Sequence, residues 1–252
     1  MNFEQFSRGN SFLHRADPRV KIISTAVLSL VIALCQSFTT ALAGLLIAIL
    51  LTIVARLSPK QVLRRLLIVN SFNILLWLLL PLTYGGQPVI HFAGIGLSRP
   101  GLLLAALITI KANAIILIFI SLLATSTVAR LGHGLQRLHL SPRLCMLLLF
   151  SYRYIAVIHQ EYQRLQRAAK LRCFRPGTNL HTYKTYAHML GMLLVKSWNR
   201  AERVQQAMAL RGFSGRFYSL HELEMNRRDY LMLTGLLLGG LGLFLLEIMP
   251  SS

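Results

Sequence analysis

Long apolar runs separated by short basic stretches dominate this chain and leave it few folds. Roughly 20 apolar residues are needed to cross the hydrocarbon of a bilayer, and inside it every backbone polar group must be satisfied internally. The runs Ile22 to Phe38, Leu42 to Ala55, Leu66 to Leu82, Leu102 to Thr127 and Tyr230 to Met249 approach or meet that need, the second only marginally. Apolar residues make up 54% of the sequence and charged residues 14%, whereas a soluble chain of 252 residues buries a good core without such runs. The expected fold class is an all-α integral membrane protein built on a bundle of about five transmembrane helices.

A formal net charge of +19 admits nucleic acid, acidic lipid, or the cytoplasmic loops of a membrane protein. Nucleic-acid binding brings basic patches interleaved with aromatic residues on a polar background. Here Lys and Arg cluster between apolar runs, so membrane lipid is the expected surrounding and no nucleic-acid partner is expected. Arg15, Arg19 and Lys21 lead into the first run, and Arg56, Lys60, Arg64 and Arg65 follow the second. The Tyr84 to Arg99 segment is rich in Gly and Pro and has a single Arg. The charge rule then puts the N-terminus in the cytoplasm and the 84–99 loop outside. The opening MNFEQFSRGNSFLHRADPRVK is too polar for a cleaved signal peptide, and the first run reads as a permanent anchor.

The run Leu144 to Ile158 poses a parity question. If it crosses, the basic region Arg164 to Lys184 lands outside, and a return through Ala187 to Val195 is required. If it does not, both basic regions stay on one side. Tyr152, Arg153 and Tyr154 are costly in lipid and natural in a helix lying under the bundle, which favours the second choice over a six-span count. Three parts follow: four spans over 1–128, a cytoplasmic module over 129–228, and a last span over 229–252. In the module two helical patterns, Leu144 to Arg172 and Tyr183 to Arg211, flank the breaker Arg175-Pro176-Gly177. Both begin apolar and end basic, which suggests a pair of levers leading away from the membrane.

Those two patterns end on one motif written twice. RLQRAAKLRCF runs from Arg164 to Phe174 and RVQQAMALRGF from Arg203 to Phe213. The copies share Arg164/Arg203, Gln166/Gln205, Ala168/Ala207, Leu171/Leu210, Arg172/Arg211 and Phe174/Phe213. Each reads as a helix C-terminus: good helix formers, an Arg suited to the negative end of the dipole, and, in the second copy, Gly212 just beyond. Short amphipathic helices often look alike. Two matched basic tips on one chain also suit two equivalent acceptors.

Catalytic chemistry is sparse. The acids Glu4, Asp17, Glu161, Glu202, Glu222, Glu224, Asp229 and Glu247 form no mid-span carboxylate pair. His181 and His188, like His133 and His139, are near each other without metal-site spacing. Cys35, Cys145 and Cys173 give neither a disulfide framework nor a metal cluster. No GxxxxGK[ST] phosphate loop occurs, so ATP must be handled elsewhere. Asn70, Asn73 and Asn113 must face protein, within the bundle or in a partner, and Lys111 is expected to snorkel outward. Gly235 and Gly239 form a GxxxG spacing open to helix approach, and Gly94-Ile95-Gly96 reads as a turn.

With these residues in place, the chain resembles the transmembrane T component of energy-coupling factor (ECF) transporters, in particular the Q-type subunit of cobalt/nickel uptake systems (CbiQ/NikQ). ADPRVK (Ala16 to Lys21) is similar to that family's Asp-Pro-Arg-x-Lys start, and HTYKTYAHMLGMLLVKSWNRAERVQQAMALRGF (His181 to Phe213) is most typical of the metal branch. The repeated copies match the family's two Ala-Arg-Gly motifs as Leu171-Arg172-Cys173 and Leu210-Arg211-Gly212, with Leu for Ala in both and Cys for Gly in the first. The resemblance implies a non-catalytic subunit of the bacterial plasma (inner) membrane. Two ATPase copies (CbiO-like) would grip its coupling helices through Arg172 and Arg211, with Phe174 and Phe213 beside them. A metal-capture membrane subunit (CbiM-like) would hold the cobalt or nickel, with a small accessory subunit (CbiN-like) in some systems. No cofactor or metal is expected on this chain, and ATP would sit on the partners. The alternatives are a T component of a vitamin system, such as biotin, and an integral membrane enzyme acting on lipid head groups.

Overall fold

Short polar residues between the apolar runs start the helices. In the computed structural model, which describes residues 9, 11–83, 88–92, 95–213 and 226–248, Asp17 accepts the Arg19 N–H at 2.8 Å and Pro18 opens α2 (Pro18–Leu34). Ser37 caps α3 (Phe38–Val54), and Thr127 caps a shorter helix, α6 (Val128–Arg137). Before α2 lies one turn, α1 (Phe12–Arg15); α4 covers Pro59–Thr83. Ser98 precedes α5 (Arg99–Ile118), which continues as one π-helical turn over Phe119–Leu123. The remaining helices are α7 (Pro142–Leu171), α8 (Leu180–Leu210) and α9 (Arg227–Ile248).

Of the five apolar runs, α4, α5 with its π turn, and α9 are long and apolar enough to cross a bilayer. The helices α2 and α3 have 17 residues each, ~26 Å of axis, slightly less than a typical hydrocarbon core. The protein is an all-α membrane protein with a small exception between α4 and α5. There β1 (Pro88–Phe92) and β2 (Ile95–Ser98) pair antiparallel, with His91 opposite Gly96 and Phe92 opposite Ile95. Ile95 and Gly96 are therefore strand residues rather than a turn, while Gly94 lies outside the described residues.

The chain divides into two compact units, residues 2–138 with 222–252 and residues 139–221. In the first, α5 packs against α3, α4 and α2, and α9 closes on α2 and α3. Leu28 and Ile32 of α2, Ala48 of α3, Ala114 and Ile118 of α5 and Leu243 of α9 share the core. Small residues allow close approaches: a Cβ on Gly44 would lie 3.0 Å from Ile32 Cγ1, and one on Gly134 would lie 3.1 Å from Pro18 Cβ.

The second unit is a hairpin of α7 and α8. Near the middle Glu161 pairs with Lys196, and near the connection the Phe174 ring meets Tyr186 edge-on at 5.8 Å. Moving forward along α7 thus moves backward along α8. The helices run antiparallel, as a short connection demands. This corrects the picture of two levers leading away side by side: the apolar start of α7 lies at the same end of the hairpin as the basic finish of α8.

Candidate partner-coupling site

The repeated sequence folds into a repeated helix end. Arg172 and Arg211 are the C-caps of α7 and α8. The residue after each is left-handed, Cys173 with φ +61° and Gly212 with φ +73°. Cys173 N–H donates to the Lys170 carbonyl at 3.0 Å and Phe174 N–H to that of Ala169 at 3.1 Å. In the second copy Gly212 N–H donates to Ala209 and Phe213 N–H to Met208, both at 3.0 Å. Both ends are complete Schellman motifs, which satisfy carbonyls that a helix terminus otherwise leaves open. Cys in place of Gly has not changed the geometry of the first copy.

Capping turns the side chains of each copy in a fixed way. Leu171 is 86% exposed and Leu210 90% exposed, the two most exposed large apolar residues among those described. Arg172 and Arg211 beside them are also exposed. Phe174 and Phe213 are half-buried, and Phe174 packs back on Tyr186 and His181, so it supports its tip instead of projecting from it. The two described acids of this unit are occupied away from the tips. Glu161 pairs with Lys196 and, at 3.4 Å, Arg164; Glu202 accepts the Trp198 indole N–H at 3.1 Å. The Lys196 hydrogen bond, reinforced by its charge, holds the Glu161 carboxyl below its ordinary pKa. Each tip therefore offers a cation and a bare leucine.

Distance separates the tips. Arg172 is 11 residues beyond Glu161 and Arg211 is 15 beyond Lys196, in opposite directions along the hairpin. At 1.5 Å per residue these steps are ~16 Å and ~22 Å, so the tips stand up to roughly 40 Å apart.

The Asp-Pro-Arg-x-Lys segment has a separate structural job in the first unit. Asp17 caps α2, and its backbone N–H donates to Asp229 Oδ1 of α9 at 3.2 Å. Lys21 is fully buried and its ammonium donates to Ser126 Oγ at 2.6 Å and Thr125 Oγ1 at 3.4 Å. Five residues, Asp17, Lys21, Thr125, Ser126 and Asp229, thus tie α2 to the start of α9 and to the segment between the π turn and α6. In the sequence Lys21 stands out as the last residue of ADPRVK and Asp229 only as one of the acids; the i, i+4 spacing of Asp17 and Lys21 is the available signal for their shared role.

Polar residues inside the spans are mostly matched within the bundle. Asn113 and Asn73 both donate to Asn70 Oδ1, at 3.1 and 3.2 Å, and Trp77 donates to Thr109 at 2.9 Å. Lys111 does not simply point outward: its ammonium reaches the Ala33 carbonyl at 3.3 Å, at the negative end of α2. Nothing lies within 4 Å of a Cβ placed on Gly235 or Gly239, while one on Gly240 would meet Leu28 at 3.5 Å. Within this unit α9 approaches α2 beside the GxxxG face, not through it. Among the described residues no three His, Cys, Asp or Glu side chains form a group able to hold a metal ion.

A family model described as cobalt transport protein, CbiQ, matches residues 9–221, which take in the Asp17–Lys21 start and both capped tips. The chain belongs to the CbiQ family. Its relatives include the energy-coupling factor transporter transmembrane protein EcfT of Macrococcus caseolyticus, 24% identical over 81% of this chain and 82% of that protein. The EcfT of Brevibacillus brevis is 26% identical over 84% of each, and that of Acidaminococcus fermentans 27% over 96% of this chain and 93% of its own. Membership in the CbiQ family makes the chain a T component of ECF transporters, a non-catalytic membrane subunit.

Proposed function

We propose that this T component couples two ATPase subunits to a separate metal-capture subunit in a cobalt or nickel importer of the bacterial inner membrane. The observation that carries the reading is the pair of matching tips, each a Schellman-capped helix end with an exposed Leu-Arg pair. A docked helix end supplies a buried anchor and a charge for an acidic or carbonyl partner, the recurring chemistry of helix-in-groove recognition. Two equivalent ends suit two equivalent grooves, one on each ATPase (CbiO-like). ATP binding changes the separation of those grooves. The hairpin, pinned by Glu161 and Lys196, passes the change to the bundle and to the capture subunit (CbiM-like, with a CbiN-like accessory subunit where one exists). Metal ligands and ATP sites belong to those partners. The basic stretches favour an N-terminus and a hairpin on the cytoplasmic side, where ATP is available.

Replacing Arg172 and Arg211 together with Glu tests this reading. ATPase co-purification and cobalt or nickel uptake should both collapse, while the protein stays in the membrane. Normal assembly and uptake in the double variant would reject the proposal. A vitamin-type T component is the second reading, since the relatives' names specify no substrate and so leave both open. Co-expression with candidate capture subunits separates the two: retention of a metal-binding or a vitamin-binding subunit decides.

A further inference from the structure

A groove of about 610 Å³ opens on the first unit between α4, the π turn after α5, and α6. Its wall includes Val69, Phe119, Ile120 and Leu131, and only two of the lining residues are polar, Arg65 and Ser126. No carboxylate lines it. The helix pairing shows where those polar groups stand. Asn70 meets Asn113 and Trp77 meets Thr109, so α4 and α5 run antiparallel and Arg65 lies level with the π turn. Ser126, a few residues beyond that turn, lies toward the same end, and Val69 is one turn deeper. Polar donors therefore occupy the end of the groove at the membrane surface, and apolar side chains line the way inward.

The hydroxyl of Ser126 is also oriented. Its oxygen accepts from the buried Lys21 ammonium at 2.6 Å, which leaves its own proton to donate. A guanidinium and a hydroxyl, both donors, sit at the head of an apolar groove of ligand size. Arg56, Lys60 and Arg64 add positive charge on the same side, and α4 has no acidic residue at all. We infer that this groove holds one anionic phospholipid, its phosphate at Arg65 and Ser126 and one acyl chain along Val69, Phe119 and Ile120. Basic pockets between transmembrane helices bind such head groups. A π turn widens a helix locally and is often found where a helix serves a ligand.

The test uses the full chain in nanodiscs of dioleoylphosphatidylglycerol or dioleoylphosphatidylcholine, with native mass spectrometry reading the lipid retained. Wild type should retain phosphatidylglycerol in preference to phosphatidylcholine. Arg65→Gln should lower that preference by roughly fivefold, the worth of one cation at a membrane surface. Val69→Trp should fill the groove and expel the lipid, and Arg64→Gln, whose charge is near the head group but outside the groove, should lower the preference by less than Arg65→Gln does. Equal retention of the two lipids by wild type would overturn the inference, as would equal losses in Arg64→Gln and Arg65→Gln. Photo-crosslinking from position 131 to a partner helix in the assembled transporter would overturn it as well, by giving the groove to a protein.

Discussion

Cys173 and Gly212 hold the same place in two different helix ends: each follows an arginine cap, each has left-handed backbone, and each donates its N–H to the carbonyl three residues back. For a residue with a Cβ that backbone is unfavourable by about 1–2 kcal/mol, whereas glycine adopts it freely. The first tip is thus the more strained of the pair, and its hydrogen bonds hold it in place.

Cys173→Gly should relieve that strain. Part of the gain is offset by the larger backbone entropy of glycine, about 0.5–1 kcal/mol, so the net stabilisation is within about 1 kcal/mol. Gly212→Val should cost α8 about 1–2 kcal/mol at its end. Hydrogen exchange of the amides at 172–174 and 211–213 reads both changes: slower exchange at the first tip, faster at the second. Unchanged exchange in both variants would remove the left-handed residue from the account of how the tips are held.

Leu171 and Leu210 make almost no contacts in the free chain, so their truncation should leave stability within about 0.5 kcal/mol. A leucine that fills a partner's pocket contributes about 1.5–3 kcal/mol on burial. Leu171→Ala and Leu210→Ala should therefore preserve Tm and weaken ATPase capture by roughly tenfold or more each. Loss of Tm together with capture would mean that these side chains serve the fold.

Much of this was legible from residues alone. Long apolar runs located the membrane helices, and the repeated Leu-Arg-x-Phe located both tips. Two things were not. Helix direction in the hairpin depends on the Glu161–Lys196 pair, and a pairing between distant residues leaves no local pattern. The roles of Lys21, Lys111 and Glu247 depend on which helix end each one meets, and that is a property of packing. In the sequence Lys21 reads as a basic residue at the head of the first run and part of ADPRVK, Lys111 as a lysine that snorkels outward from its span, and Glu247 as an acid outside mid-span.

The antiparallel hairpin has a measurable length and a pH signature. Spin labels at 173 and 212 should report a separation of up to roughly 40 Å. Glu161 has its folded pKa depressed by Lys196, so its contribution is fully present above the ordinary carboxylate pKa and is lost as pH falls through the lowered value. The distance distribution should hold from pH 8 to about 5 and broaden only at more acidic pH. Glu161→Gln should broaden it at neutral pH. A separation near that of neighbouring tips, about 10 Å as for packed helices, would refute the antiparallel arrangement.

Lys21 should behave as a structural tie. Lys21→Met keeps the apolar stem and removes the donor shared by Ser126 and Thr125, for an expected loss of about 1–3 kcal/mol. Lys21→Ala should cost more, since it adds a cavity to the lost hydrogen bonds. Thermal unfolding in detergent ranks the two. Equal stability of wild type and Lys21→Met would mean that the buried ammonium adds nothing to the bundle.

Glu247 gives the most local test of how α9 closes the bundle. From the last turn of α9 its carboxylate accepts the N–H groups of Gln36 at 2.7 Å and Ser37 at 3.2 Å, and the hydroxyls of Ser37 at 2.8 Å and Thr40 at 2.6 Å. These donors form the start of α3, where a negative charge meets the positive end of the helix dipole. Charged hydrogen bonds of this kind contribute about 1.5–3 kcal/mol, and they act as one group. Glu247→Gln should lose part of that and Glu247→Ala most of it. In a double-mutant cycle with Ser37→Ala the two losses should fall short of additive by about 1 kcal/mol, because both remove the same contacts. Strict additivity would show that Glu247 and the α3 cap act independently and that these hydrogen bonds do not tie α9 to α3.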